Sequence, residues 1–175
     1  AIMLVPWQQY EFTGDPELLR RRFDDMKRYV AYLDTKASFG ILNFGLGDWY
    51  DLGPKPPGVA QLTPIALTAT AFYFYDTWVL AQTARVLGKE AEAKQYSGRA
   101  DEIRAAFNAK FFNRPNGSYA TGSQCANAMP LVMGLCDESH RAAVLGALVR
   151  DVQAHGNTAG DVGYRYVLRA LADGG

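Results

Sequence analysis

The stretch TPIALTATAFYFYDTWVLAQTA, residues 63–84, decides the fold. A threonine and a proline open it, as they open many helices, and Gly88 beyond it suits the left-handed turn that ends one. Asp76 is its only charged residue. A helix apolar on nearly every side is buried on nearly every side, so this one belongs to an inner layer and needs others around it.

Its neighbours in the chain have the opposite character. Asp15, Pro16 and Glu17 are a cap, a first helical residue and a dipole-matched acid, and the helix they predict runs to about Lys36. Leu19, Phe23, Met26, Val30 and Leu33 recur on one face of it, with Arg, Asp and Lys on the other. After Gly88 the same pattern returns with Tyr96, Ala100, Ile103, Phe107 and Phe111. Residues 123–135 carry no charge, 138–154 are amphipathic around Leu145, Leu148, Val149 and Val152, and 161–172 are largely apolar. The predicted order is outer, inner, outer, inner, outer, inner, with a further short helix over 2–10. Pro130 either kinks the second inner helix or sits in its first turn, because proline lacks a donor and crowds the turn before it.

The connections alternate too. Links from inner to outer helices are tight, at Gly88-Lys89 and 134–137, whereas links from outer to inner helices are long, at 37–62, 112–122 and 155–160. In an up-and-down arrangement the long links share one end, together with the N-termini of the inner helices and their free N–H groups. Sites are commonly built on such loops. The reading is an all-α, α/α toroid. A helical-repeat solenoid fits less well, because its helix pairs recur at fixed length and these do not.

The first long link contains Phe44-Gly45-Leu46-Gly47-Asp48-Trp49-Tyr50-Asp51, followed by Pro54-Lys55-Pro56-Pro57-Gly58. Two carboxylates flank an aromatic pair between flexible glycines and stiff prolines. Carboxylate oxygens accept from hydroxyls and an aromatic ring covers a C–H face, which suits a sugar. A turn around a core tryptophan is the plainer alternative. His155 reads as a partner of a helix C-terminus, Trp7, Tyr10, Phe72–Tyr75 and Trp78 as core, and Asp76 as a buried carboxylate that needs a partner.

Composition excludes several classes. Lysine plus arginine and aspartate plus glutamate number 18 each, so no global field draws nucleic acid or an acidic membrane surface, and Arg20-Arg21-Arg22 reads as a solvated face. No apolar stretch is long enough to span a bilayer, and Ala1–Val5 lacks the basic start of a signal peptide. Cys125 and Cys136 match no metal or redox spacing and read as buried free thiols; neither a metal nor another cofactor is expected.

Several segments together carry a family resemblance. Pro6-Trp7-Gln8-Gln9-Tyr10, Gly14-Asp15, Met26–Val30, Phe44–Asp51, Thr63-Pro64 with Ala71–Tyr73 and Asp76, Leu87-Gly88-Lys89, Gln124–Leu131 and Gly156-Asn157-Thr158-Ala159-Gly160-Asp161-Val162-Gly163 resemble the catalytic domain of α-L-rhamnosidases, glycoside hydrolase family 78. The resemblance runs nearly end to end. It implies an (α/α)6 barrel, of the six-hairpin glycosidase type, that hydrolyses terminal α-L-rhamnosyl bonds with inversion. Residues 1–175 then form one partial barrel, about half a toroid and internal to it. The family's general-acid and general-base glutamate motifs are absent, so no residue of this chain is expected to be catalytic. The resemblance places Asp48 and Trp49 in the rhamnose subsite, Trp49 packing on the sugar and Asp48 accepting from hydroxyls or orienting a neighbour, with Asp51 and Gln61 in support. The partner it implies is a rhamnose-containing glycoside. Inner faces bearing Phe72, Phe74, Trp78, Met129, Leu131 and Met133 are expected to lie exposed and to drive self-association. A non-catalytic carbohydrate-binding or protein-interaction module, and an (α/α)6 enzyme acting on another glycan, are the alternatives.

Overall fold

The first long helix starts one residue later than its sequence predicts, with Pro16 in the cap position, and the Asp15 Oδ1 just ahead of it accepts from the Glu17 N–H at 2.9 Å. The computed structural model describes residues 1–174. Their helices are α1 (Leu4–Thr13), α2 (Glu17–Lys36), α3 (Ile65–Val86), α4 (Glu90–Phe111), α5 (Gln124–Met133), α6 (Glu138–His155) and α7 (Tyr164–Asp173). The helices α1, α3, α5 and α7 touch one another in that order, while α2, α4 and α6 pack behind them. This is the alternation of an α/α barrel. In α5 every residue but Val132 is buried, and in α6 only Val144 and Leu148 are.

Two apolar clusters hold the layers together. One gathers Met3 just ahead of α1, Trp7 of α1, Leu19, Phe23, Met26 and Val30 of α2, and Val79, Leu80 and Ala84 of α3. The other joins α3, α4, α5, α6 and α7 around Phe74, Ile103, Phe107, Met129, Leu148 and Val167. A polar tie crosses three helices on the outside: Arg99 of α4 donates to Asp34 of α2 at 2.9 Å and to the Tyr73 hydroxyl of α3 at 2.8 Å, and that hydroxyl donates to Asp34. Burial, with the Asp34 hydrogen bond, pushes the Tyr73 phenol up to about 12.

The structure corrects several expectations. Thr63 does not cap α3; its hydroxyl pairs with that of Ser123 at 2.7 Å, so the residue links two loops. Pro130 lies neither at a kink of a long helix nor in a first turn. The helix α5 is short, Pro130 sits near its end, and its carbonyl accepts from the N–H groups of Gly134, Leu135 and Cys136. Residues 112–122 are not plain loop: β1 (Phe112–Asn113) pairs antiparallel with β2 (Ser118–Tyr119). The helix α7 is amphipathic, burying Tyr166, Val167 and Ala170 while Tyr164 and Leu168 are exposed. Phe74, Met129, Leu131 and Met133 are buried within this chain and Phe72 and Trp78 half-buried, because neighbouring helices of the same chain cover them. Cys125 is a buried free thiol as expected, but Cys136 is only half-buried. No helix among the described residues is long and apolar enough to cross a membrane.

The core makes a direct prediction. Phe107 is fully buried between Phe111 and Tyr119, with ring centroids at 5.0 and 5.6 Å. Phe107→Ala is expected to cost about 3–5 kcal/mol in urea unfolding, whereas Phe12→Ala, at a side chain 90 % exposed, is expected to stay within about 0.5 kcal/mol of the parent chain.

Candidate functional site

The three long connections meet at one end of the inner helices, and buried polar side chains sew them together. In α5, Gln124 is fully buried, its Nε2 donating to Asp151 at 2.8 Å and to the Gly156 carbonyl at 2.7 Å while its Oε1 accepts from the Thr158 N–H at 2.9 Å. Asn127, one turn on, accepts from the Tyr119 N–H at 2.9 Å and donates to the Gly122 carbonyl at 3.0 Å. The Thr121 hydroxyl donates to the Leu62 carbonyl at 2.7 Å. On α3, the Thr70 hydroxyl both accepts from the Leu42 N–H at 3.1 Å and donates to its carbonyl at 3.2 Å, fixing the start of the first loop.

Asp48 stands at the centre of this junction. It is 1 % exposed, and its two oxygens accept separately from the Gly160 N–H at 2.9 Å and the Gly163 N–H at 2.7 Å. Backbone bonds run alongside, from Asp161 N–H to the Trp49 carbonyl at 2.7 Å and from Leu52 N–H to the Thr158 carbonyl at 2.9 Å. The approach is close enough to demand glycine. A Cβ at Gly160 would overlap the Trp49 carbonyl and sit 2.6 Å from the Asp51 nitrogen, and one at Gly163 would lie 2.6 Å from Cys125 Cβ and 2.8 Å from Asp48 Oδ2. Burial pushes the Asp48 carboxyl above its ordinary value, while the two glycine N–H groups pull it back. The same burial, with Asp48 alongside, raises the Cys125 thiol well above its usual range, so it is an inert thiol.

Asp51 makes a second clasp of the same kind. Fully buried, it accepts from the Gln61 N–H with both oxygens at 2.9 Å and from the Leu62 N–H at 2.6 Å. The Gln61 side chain in turn accepts from the Lys55 N–H at 2.7 Å and donates to the Lys55 carbonyl at 3.0 Å, holding the proline-rich tip. The four residues singled out from sequence therefore do come together, but with their roles divided. Asp48 and Asp51 point inward to backbone N–H groups and present no carboxylate to solvent; the expectation that Asp48 accepts from sugar hydroxyls does not match this placement. Trp49 is half-buried, and beside it Tyr50 is 51 % exposed, their rings edge-on at 5.7 Å.

Tyr50 was missed as a distinct candidate. It adopts φ +65°, a left-handed conformation rare for an aromatic residue, held by its N–H donating to the Gly58 carbonyl at 2.8 Å. The Trp-Tyr pair signalled it, but nothing in the residue types said which ring faces out. Next to this surface, Leu52, Leu62, Thr121, Ser123, Asp151 and His155 help line a cleft of about 330 Å³, where His155 Nδ1 lies 3.1 Å from Asp151 Oδ1. His155 thus ends α6 as expected and also contacts an acid. No group of three or more His, Cys, Asp or Glu among the described residues is arranged to hold a metal ion.

The chain as a whole has close counterparts among known proteins. The model of the bacterial alpha-L-rhamnosidase six-hairpin glycosidase domain matches residues 1–175. The chain belongs to that family. It superposes on the alpha-L-rhamnosidase of Dictyoglumus thermophilum with a TM-score of 0.90 and 32% identity, over 99% of this chain and 20% of that one. The Streptomyces avermitilis alpha-L-rhamnosidase, solved in complex with L-rhamnose, gives 0.90 and 26% over 99% of this chain and 16% of its own. A curated Formosa agariphila alpha-L-rhamnosidase is 28% identical over 183 residues, 98% of this chain and 19% of that protein. The chain thus spans a fifth or less of the length of these relatives.

The clasp is testable on its own. Asp48→Ala would leave two buried N–H groups without acceptors, each worth about 1–3 kcal/mol, so a loss of roughly 2–6 kcal/mol in urea unfolding is expected. Gly160→Ala is expected to be at least as damaging, since nothing in a backbone–backbone contact can yield cheaply. A change within about 0.5 kcal/mol for either would mean that the loops are not held this way.

Proposed function

We propose that this chain is the part of a rhamnoside-hydrolysing barrel that presents an aromatic surface to the glycone, and that it contributes no catalytic carboxylate. The observation that carries the reading is the division of labour in the Gly47–Asp51 segment, where both aspartates are spent on backbone N–H groups while the rings of Trp49 and Tyr50 sit at the surface. An inverting glycosidase needs two carboxyl groups on opposite sides of the glycosidic bond, one to protonate the leaving oxygen and one to activate water. Asp48 and Asp51 lie on one loop and face inward, so neither is suited to that work. An aromatic ring is suited to another part of it, covering the C–H face of a deoxy sugar such as rhamnose. The name of the family and the L-rhamnose complex of its Streptomyces relative support rhamnose as the sugar.

In this reading Asp48 and Asp51 act at one remove. Asp48 fixes the Trp49 backbone to the 156–163 loop, and Asp51 with Gln61 fixes the far side of the same turn. Preorganised rings bind without ordering cost at the moment of association. The acid and the base come from other parts of the barrel domain.

Two measurements test this. The isolated chain is expected to show no turnover of an aryl α-L-rhamnoside; turnover that tracks the purified chain and vanishes in Asp48→Ala would make the local carboxylates catalytic. In the complete barrel domain, Trp49→Ala is expected to weaken calorimetric rhamnose binding by about 1–3 kcal/mol, the scale of burying a large apolar side chain, with a minor change in melting temperature. Unchanged affinity with a large fall in melting temperature would make Trp49 a structural residue and remove the sugar assignment.

A further inference from the structure

Asp76, the lone charge of the inner helix α3, was expected to be hydrogen-bonded, and the structure leaves it without a partner. It is 6 % exposed, and no hydrogen bond or ion pair to its carboxylate exists among the described residues. It looks into a groove of about 270 Å³ between α2, α3 and the Phe44–Gly47 turn, walled mainly by carbon from Tyr29, Leu33, Phe44, Phe72 and Tyr73. No side-chain cation acts on it directly; Arg165 of α7 lies over the Tyr166 ring and, with Glu11 of α1, acts on the adjoining Tyr75 phenol. The ionisable side chains coupled to it are phenols: Tyr29 on α2, Tyr75 on α3 and Tyr166 on α7, all pushed up chiefly by burial and further by Asp76 itself. Burial pushes the Asp76 carboxyl up to about 7.

The Asp76 oxygens keep a small contact with solvent through the groove, but a carboxylate among apolar walls is stabilised by a donor or a cation beside it, and no side chain of residues 1–174 supplies either. The shape of the groove says which. Apolar and aromatic walls cover the methylene stem of a long basic side chain, and aromatic faces attract its cationic head. A sugar hydroxyl would leave the charge uncompensated. The occupant has a natural source: this chain spans about a fifth of the relatives whose domain it matches, and its described residues form seven helices where six hairpins require twelve.

We propose that the Asp76 groove is the docking slot for an arginine or lysine side chain carried by another helix of the same six-hairpin domain. The pair so formed locks that helix against α2 and α3, beside the turn that leads to Trp49. The inference rests on family membership and on the unpartnered carboxylate, and it stands whether or not Trp49 touches sugar.

Carboxyl-13C NMR of the 175-residue chain tests it, with the Asp76 signal assigned by its loss in Asp76→Asn. The free chain is expected to titrate Asp76 near 7. Saturating N-acetyl-arginine N-methylamide is expected to lower that midpoint by at least about one unit, the scale of an adjacent opposite charge, while the neutral citrulline analogue leaves it unmoved. In the complete barrel domain, Asp76 is expected to be ionised at neutral pH and blind to the arginine probe, its slot being filled. A melt gives a second reading. Because the folded value lies above the ordinary 3.8, the folded chain holds the proton more tightly than the unfolded one. Its stability should therefore be highest in acid and fall as pH rises towards about 7, and Asp76→Asn should flatten that fall. A midpoint near 4 in the free chain, no response to the arginine probe, or an Asp76 still neutral and probe-sensitive in the complete domain would each overturn the proposal.

Discussion

Everything at the loop end of this molecule depends on a carboxylate that bonds to backbone. Asp48 reaches from the first long loop to Gly160 and Gly163, more than a hundred residues on, and receives both N–H groups at hydrogen-bond distance. Charge-assisted bonds of this sort are about twice as strong as neutral ones, and here they are sheltered from water. Close approach is their precondition. Two glycines remove the side chains that would hold the loops apart, and the backbone bonds from Asp161 and Leu52 become reachable only once they are gone. The position of Trp49 follows, because its own carbonyl is one of the partners.

The inner helices contribute in the same way. Three of their buried polar residues are spent on loops. Gln124 satisfies the 156–158 segment, Asn127 the β-hairpin and Thr70 the segment at Leu42. An apolar helix with an amide near its first turn is both core and anchor. The fold therefore carries its core packing directly into the geometry of the surface above it, with no flexible linker between the two.

Layering was legible in the sequence because it is a matter of periodicity: the apolar run at 63–84, with one charge, and the charge-free run at 123–135 became α3 and α5, and the striped ones became α2, α4 and α6. The convergence of the long links was legible from their alternation. What escaped was anything that turns on direction. A buried aspartate and an exposed one are spelled alike, so Asp48 and Asp51 read as candidates to meet a hydroxyl when their partners were backbone N–H groups, far along the chain for Asp48 and later in the same loop for Asp51. Gln124 and Asn127 passed unnoticed inside an uncharged run for the same reason. The β-hairpin at 112–119 is too short to show alternation, and its register depends on Asn127, eight residues after Tyr119. Asp76 was legible as a problem, a charge in an apolar helix, though not as one left unsolved within this chain.

The loop end is not equally firm throughout. Around Asp48, Gln124 and Asn127 the first connection is bonded to both of the others, and each of those is also bonded to α5, so none of them can shift without breaking several bonds together. The tip at residues 54–58 is different: its hold on the rest runs mainly through the Gln61 side chain and the Tyr50–Gly58 bond, and it stands largely in solvent. Segments with few, exposed bonds open at the lowest free energy. Three prolines stiffen this one internally, so it would swing as a piece about its two ends rather than unravel. The rings of Trp49 and Tyr50 thus have one neighbour able to move while the floor beneath them stays still.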